Sequence, residues 1–241
     1  VRHVTLMALD LDGTLLTDTF SPVLRRVCSH YGWEYTEAFE RNTFSQPREK
    51  AAAYIRDNYG DLFGPEGAEK PLADMVQNFF RFRSEHVKEH PVRLQPGAEA
   101  LLKRLAGLDV RLVCYGGMEE DHMRSELGPL AGVFERYVCT NDIRPGVRHI
   151  VDEFCPADPS RALFLDDVFS AGVEARNIRA GFIGTPSADP QCHQRRIMET
   201  EGLPRLVDEL SMIDAALLAE VDARLAAGTF WSPTRAEANQ G

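Results

Sequence analysis

The sequence lacks any run of about eighteen consecutive apolar residues, so nothing in it reads as a bilayer-spanning helix. It also lacks a signal-peptide layout. A cytoplasmic protein with no membrane partner is therefore expected. Positive charge is in deficit: 27 Lys and Arg stand against 37 Asp and Glu, a formal net charge of -10. A surface of that sign repels nucleic acid and anionic lipid, and basic clusters such as Arg195-Arg196 are short, so no nucleic-acid partner is expected. The five cysteines, Cys28, Cys114, Cys139, Cys155 and Cys192, contain no C-x-x-C pair, and an odd number cannot all pair within one chain. Free thiols in a reduced compartment are expected, with Cys114 and Cys139 as core fillers in apolar runs. The absence of internal repeats excludes a solenoid.

What remains is a chain of 241 residues, 44% hydrophobic and 27% charged, long enough for one large domain or a main domain with a smaller one inserted. Val4 to Leu9 is a short apolar run that ends at Asp10 and suits a strand buried on both faces. Similar runs are Val110 to Cys114, ending at Tyr115-Gly116-Gly117, and Arg136 to Thr140. Two more are Ala162 to Leu165, ending at Asp166-Asp167, and Gly181 to Gly184. Helical periodicity separates them over Gly97–Leu105, Arg144–Phe154 and Ala171–Ile178. This alternation from about residue 92 to 186 predicts an α/β fold, a doubly wound parallel sheet.

Residues 18–91 break the alternation. Helix-like segments at Pro22–Tyr31, Thr36–Arg41, Arg48–Tyr59 and Leu72–Glu89, with a loop over Gly60–Pro71, read as an all-helical insertion capping the sheet edge. The expected division is a Rossmann-like core of residues 1–17 and 92–203, a helical cap of 18–91, and a C-terminal piece of 204–241. That last piece is expected to hold one helix from Pro204 to Ala227 and a frayed end from Gly228.

Chemistry concentrates at the strand ends. Asp10 and Asp12 follow a buried strand and precede Gly13-Thr14. In open parallel sheets ligands bind at the carboxyl ends of strands. Two carboxylates on one loop repel each other unless a cation or a proton joins them, and a hard cation such as Mg²⁺ does so through oxygen ligands. Asp166-Asp167 ends another strand, and if that strand lies beside the first, four carboxylates meet. Arg144 is placed to hold a phosphate or orient a carboxylate.

Together these features resemble the haloacid dehalogenase-like superfamily. The resemblance covers roughly residues 4–17 and 92–186, and its most specific part is Asp10-Leu11-Asp12-Gly13-Thr14. It implies that Asp10 attacks phosphorus, that Asp12 acts as general acid and then general base, and that the Asp12 carbonyl helps bind Mg²⁺. It implies a metal set of Asp10, Asp12, Asp166 and Asp167, with Asp167 the first choice for a direct ligand. Arg144 stands where the family has lysine, and the helical insertion corresponds to the family's cap. Members that split carbon–halogen or carbon–phosphorus bonds lack an aspartate at the place of Asp12, so a small phosphate ester is the expected substrate.

One departure stands out. The family's second motif ends in Ser or Thr, and here the place is held by Tyr115, followed by Gly116 and Gly117. Tyr115, the two glycine N–H groups, Arg144 and the cap residue Arg48 are the expected phosphate- and substrate-binding set. A phosphatase is the leading reading. A phosphomutase or phosphotransferase, and a non-catalytic binding protein, stay open; a monomer or homodimer is expected in each case. Within the cap, Ser45-Gln46-Pro47-Arg48 is a polar loop facing the site. Arg81, Arg83, His86 and His90 read as a solvated helix face, and Trp33, Phe79 and Phe80 as cap core. His122 receives no role.

Overall fold

The computed structural model describes residues 1–59 and 69–232, without the side chains at 48 and 69–73. Five strands form one sheet: β1 Leu6–Asp10, β2 Arg111–Gly116, β3 Arg136–Cys139, β4 Ala162–Asp166 and β5 Gly181–Gly184. Their spatial order is β3-β2-β1-β4-β5, and every neighbouring pair is parallel. All five residues of β1 are buried, which explains its unbroken apolar sequence: helices cover both faces. Leu9 pairs with Leu165 and Asp10 with Tyr115, so the carboxylates that end β1 and β4 emerge side by side. The crossover direction reverses between β1 and β4, and that reversal opens the crevice where such sheets bind ligands.

The pleat divides the core. Met7, Leu9, Leu112 and Cys114 face helix α5 (Ala98–Ala106) and Leu218, Val221 and Leu225 near the C-terminus. Leu6, Ala8, Val113, Tyr115 and Phe164 face the other way, in one cluster with Leu24, Phe39, Phe44 and Ile55 of the inserted helices. Those helices are α1 Phe20–Tyr31, α2 Glu37–Thr43, α3 Arg48–Tyr59 and α4 Glu69–Glu89, all between β1 and β2. Thr36 caps α2, its hydroxyl accepting from the Phe39 N–H at 3.1 Å. The Gly60–Pro71 loop is corrected in part. Residues 69–71 already belong to α4, with Pro71 in its first turn where no N–H is needed, while 60–68 lie outside the described residues. Glu40, fully buried, accepts from the His193 N–H (2.8 Å) and the Gln194 amide (2.9 Å), joining α2 to the start of α9 (Gln194–Thr200).

Other expectations shift with physical cause. The helix expected from Arg144 is α7, Val147–Phe154. Gly146, with φ +94°, begins it, and Arg144-Pro145 forms a turn with a cis peptide bond ahead of it. Helix α6, Glu120–Leu127, was not expected, since its polar sequence carries only Met123 and Leu127 as a buried i, i+4 pair. Helix α8, Phe169–Ile178, begins two residues before the expected Ala171. The Pro204–Ala227 helix is reduced to α10, Ala215–Ala226, capped by Asp214. Residues before it run beside β5, where Gly184 exchanges backbone hydrogen bonds with Arg205 and Val207, both at 2.9 Å. The expected frayed end is also corrected: Phe230 is buried, and the Trp231 indole N–H donates to the Ala180 carbonyl at 2.9 Å. Residues 233–241 lie outside the described residues. Asp222 on α10 accepts from the N–H groups of Arg2, His3 and Val4 at 2.8–2.9 Å, so the C-terminal helix closes over the first strand.

Candidate active site

The end of β1 turns sharply through Gly13, whose φ of +105° excludes most side chains. A Cβ there would strike the Asp167 carboxylate, so the turn and the end of β4 are in close contact. Asp10, Asp12, Asp167, Gly117 and Arg144 line one cavity of about 360 Å³ beneath the inserted helices. A size of that order suits a small ligand. One carboxylate oxygen of Asp10, Oδ2, is buried and has no hydrogen-bond partner among the described residues. Burial, reinforced by the charges of Asp166, Asp167 and Asp12, pushes the Asp10 carboxyl well above its usual range, while Arg144 opposes the shift. Burial, with Asp166 and Asp18 adding to it, raises Asp167 likewise.

Such crowding asks for a cation. Mg²⁺ takes one or two carboxylates and keeps several waters rather than filling an all-protein cage. The residues present fit that habit. Asp10 offers an orphaned oxygen, Asp167 lies against the same turn, and the Asp12 carbonyl is the third candidate. Among the described residues no group of three His, Cys, Asp or Glu side chains forms a ready-made cage. Asp166 is not among the residues lining the cavity; its Oδ2 accepts from the Tyr115 hydroxyl at 2.6 Å and its Oδ1 from the Val168 N–H at 2.7 Å. Burial raises it to about 6 despite those two donors.

Tyr115 is corrected. Its ring is buried on the sheet face among Val113, Phe164 and Val138, 1% exposed, and it does not line the cavity. Its hydroxyl braces Asp166 instead of meeting a phosphate. Gly116 packs against the Tyr137 hydroxyl and Leu11, whereas Gly117 faces the cavity. A Cβ at Gly117 would fall inside the Arg144 guanidinium, so this glycine lets the cation reach the strand ends. The Arg144 Nη1 donates to the Ser45 hydroxyl at 3.2 Å, linking the inserted helices to the core. Ser45 and Gln46 line the cavity as expected; the Arg48 side chain is outside the described residues.

Two residues escaped the sequence reading. Arg83 is turned inward, its Nη2 buried 3.7 Å from Asp12 Oδ1 and its Nε donating to the Thr19 hydroxyl at 3.2 Å. His122, on α6, places Nε2 3.1 Å from the same Asp12 oxygen. Neither contact leaves a local signal, since each joins residues far apart in sequence. Phe79 and Phe80 both line the cavity; Phe79 also packs on Val23, Val27 and Phe82 in the cap core, as expected, whereas Phe80 is 54% exposed.

No family model and no curated protein matches the sequence. Solved structures do match in shape. A conserved haloacid dehalogenase-like protein of unknown function from Agrobacterium tumefaciens is 14% identical with a TM-score of 0.64, covering 90% of this chain and 99% of its own. The chain has the haloacid dehalogenase-like fold. A phosphonoacetaldehyde hydrolase-like protein from Oleispira antarctica shares it at 16% identity and a TM-score of 0.69, over 93% of this chain and 95% of that one. A predicted phosphoglycolate phosphatase from Haemophilus somnus shares it at 15% identity and 0.61, over 88% and 97%. In the haloacid dehalogenase-like fold of this chain, the inserted helices therefore cover the carboxyl end of β1, where Asp10 stands. Among the described residues no helix is long and apolar enough to cross a membrane.

Proposed function

We propose that the protein is a Mg²⁺-dependent phosphoric monoester hydrolase acting on a small phosphorylated molecule through Asp10. The observation that carries this reading is the convergence of Asp10, Asp12, Asp167 and Arg144 on one covered cavity, with the Asp10 Oδ2 left without a partner. Mg²⁺, when bound, supplies the charge neutralisation that lets these carboxylates approach a phosphoryl group.

The residues then divide the work. Arg144 holds phosphoryl oxygens with its guanidinium. The Asp10 carboxylate attacks phosphorus, an Asp10 oxygen–phosphorus bond forms, and the bond to the leaving oxygen breaks. Asp12 gives its proton to that oxygen, so an alcohol departs. Asp12 then takes a proton from water; the water oxygen bonds to phosphorus, inorganic phosphate leaves, and Asp10 is restored. His122 and Arg83 fix the Asp12 carboxyl from one side, leaving its orientation set before the substrate arrives. The presence of Asp12 favours cleavage of a phosphorus–oxygen ester over that of a carbon–halogen or carbon–phosphorus bond.

The test is phosphate release from a panel of monoesters, with and without Mg²⁺, beside Asp10→Asn. The expected result is Mg²⁺-dependent release that the substitution abolishes. Release that persists in Asp10→Asn overturns the nucleophile assignment. Transfer of a phosphoryl group from a bisphosphate to a second sugar, with no free phosphate released, would establish a phosphomutase instead. No turnover of any ester would favour a binding protein.

A further inference from the structure

The half of the cavity remote from the carboxylates is built almost wholly of apolar side chains. Leu24, Phe39, Phe44, Ile55, Met75 and Phe79 come from all four inserted helices and the turn after α2. Phe20 forms an aromatic floor with Phe79, ring centroids 4.8 Å apart, and with Phe44 at 6.4 Å. Besides the carboxylates and Arg144, the polar side chains described on the lining are Asn141, just past the end of β3 on the core side, and Thr43, Ser45 and Gln46 of the inserted part, and these last three are already engaged. The Thr43 hydroxyl donates to the Phe39 carbonyl at 2.7 Å. The Gln46 amide donates to the Arg41 carbonyl at 3.2 Å, and its oxygen accepts from Lys50 at 2.9 Å. The Ser45 hydroxyl oxygen accepts from Arg144. At the mouth, Val76 and Phe80 continue the apolar lining to the surface, 51% and 54% exposed.

A sugar phosphate would bury several ring hydroxyls against this wall, and each one left unpaired weakens binding by roughly ten- to a hundredfold. An alkyl or aryl group gains instead, by about fourfold per methylene buried. The charged chemistry sits at one end of the cavity and the apolar lining fills the other. We infer that the cavity selects phosphate monoesters of apolar alcohols, branched aliphatic or aromatic, over sugar phosphates. This substrate class rests on the hydrolase reading; the apolar binding behind it does not.

Two measurements keep the two claims apart. The first is affinity for n-alkylphosphonates from ethyl to hexyl, by calorimetry in Mg²⁺. The second is kcat/KM for the matching alkyl phosphates and phenyl phosphate, against glucose 6-phosphate and glycerol 3-phosphate. Affinity and kcat/KM should each rise about fourfold per methylene, roughly two hundredfold from ethyl to hexyl, with the sugar ester among the poorest substrates. Phe79→Ser should flatten the series; if that variant does not fold, the wild-type slope alone decides. A slope below twofold per methylene, or a preference for glucose 6-phosphate, overturns the inference while leaving the hydrolase reading in place. A steep phosphonate series without hydrolysis of any ester keeps the apolar pocket and removes the hydrolase. A flat series with a dimer that Phe80→Ser dissociates would assign the apolar mouth to a second copy and overturn the inference.

Discussion

Tyr115→Phe removes one oxygen atom and separates two accounts of the second strand's end. In the structure that hydroxyl donates to Asp166 Oδ2 at 2.6 Å, with both residues buried. The phenylalanine keeps the ring's packing, including its edge contact with Phe164 at 6.0 Å between centroids. What is lost is a hydrogen bond to a charged acceptor, about 1.5–3 kcal/mol. For a chain of this length that corresponds to a fall in Tm of roughly 3–12 °C. The hydrogen bond favours the charged carboxylate and so lowers the Asp166 pKa; without it the carboxyl rises further above about 6. The stability difference between wild type and variant is therefore largest above that range and shrinks as pH falls through about 6 and Asp166 is protonated. The assay is thermal unfolding of both proteins across pH 5–8, beside inhibition by orthophosphate. The inhibition constant should change by less than about threefold, because Tyr115 does not reach the cavity. An unchanged Tm together with a tenfold weaker orthophosphate inhibition would refute this placement and restore Tyr115 as a phosphate ligand.

Three further outcomes follow from the same geometry. Gly117→Ala places a methyl group where the Arg144 guanidinium lies; KM for a phosphate ester should rise roughly tenfold or more, with Tm nearly unchanged because only a flexible side-chain end must move. Asp10→Asn removes a buried carboxyl crowded by Asp166, Asp167 and Asp12; metal-free protein at pH 7.5 should become more stable, read by urea unfolding. The raised Asp166 carboxyl binds its proton more tightly in the folded state, so its contribution is full below about pH 4 and is lost as pH rises through about 6; burial shifts Asp167 in the same direction. Mg²⁺ replaces those protons, so the rise in Tm that it causes should be larger at pH 7.5 than at 5.5, a trend that differential scanning fluorimetry would show or deny.

Strand β1 and its aspartates were legible in the sequence because burial on both faces enforces an unbroken apolar run, and a carboxylate pair directly after it has few structural uses. The same logic exposed the other strands and the helical insertion, whose periodicities are local. Helix α6, the true start of α7 and the path of residues 204–214 were not legible. Each depends on what the segment packs against: two residues of α6 on the core, Gly146 against Thr140, and Leu206 beside Gly184.

The roles of single side chains divide in the same way. The sequence alone determined that Asp10 and Asp12, and likewise Asp166 and Asp167, stand at the ends of two buried strands, because burial on both faces leaves an unbroken apolar run; that the two strands are neighbours was decided by the tertiary structure. Only the tertiary structure decided which way each group points. It turned Tyr115 onto the buried sheet face to brace Asp166, brought Arg83 and His122 to Asp12 from distant parts of the chain, and assembled an apolar wall from four helices. Those arrangements arise from contacts between residues distant along the chain. Their geometry is set by packing, for which the linear sequence holds no periodic signal.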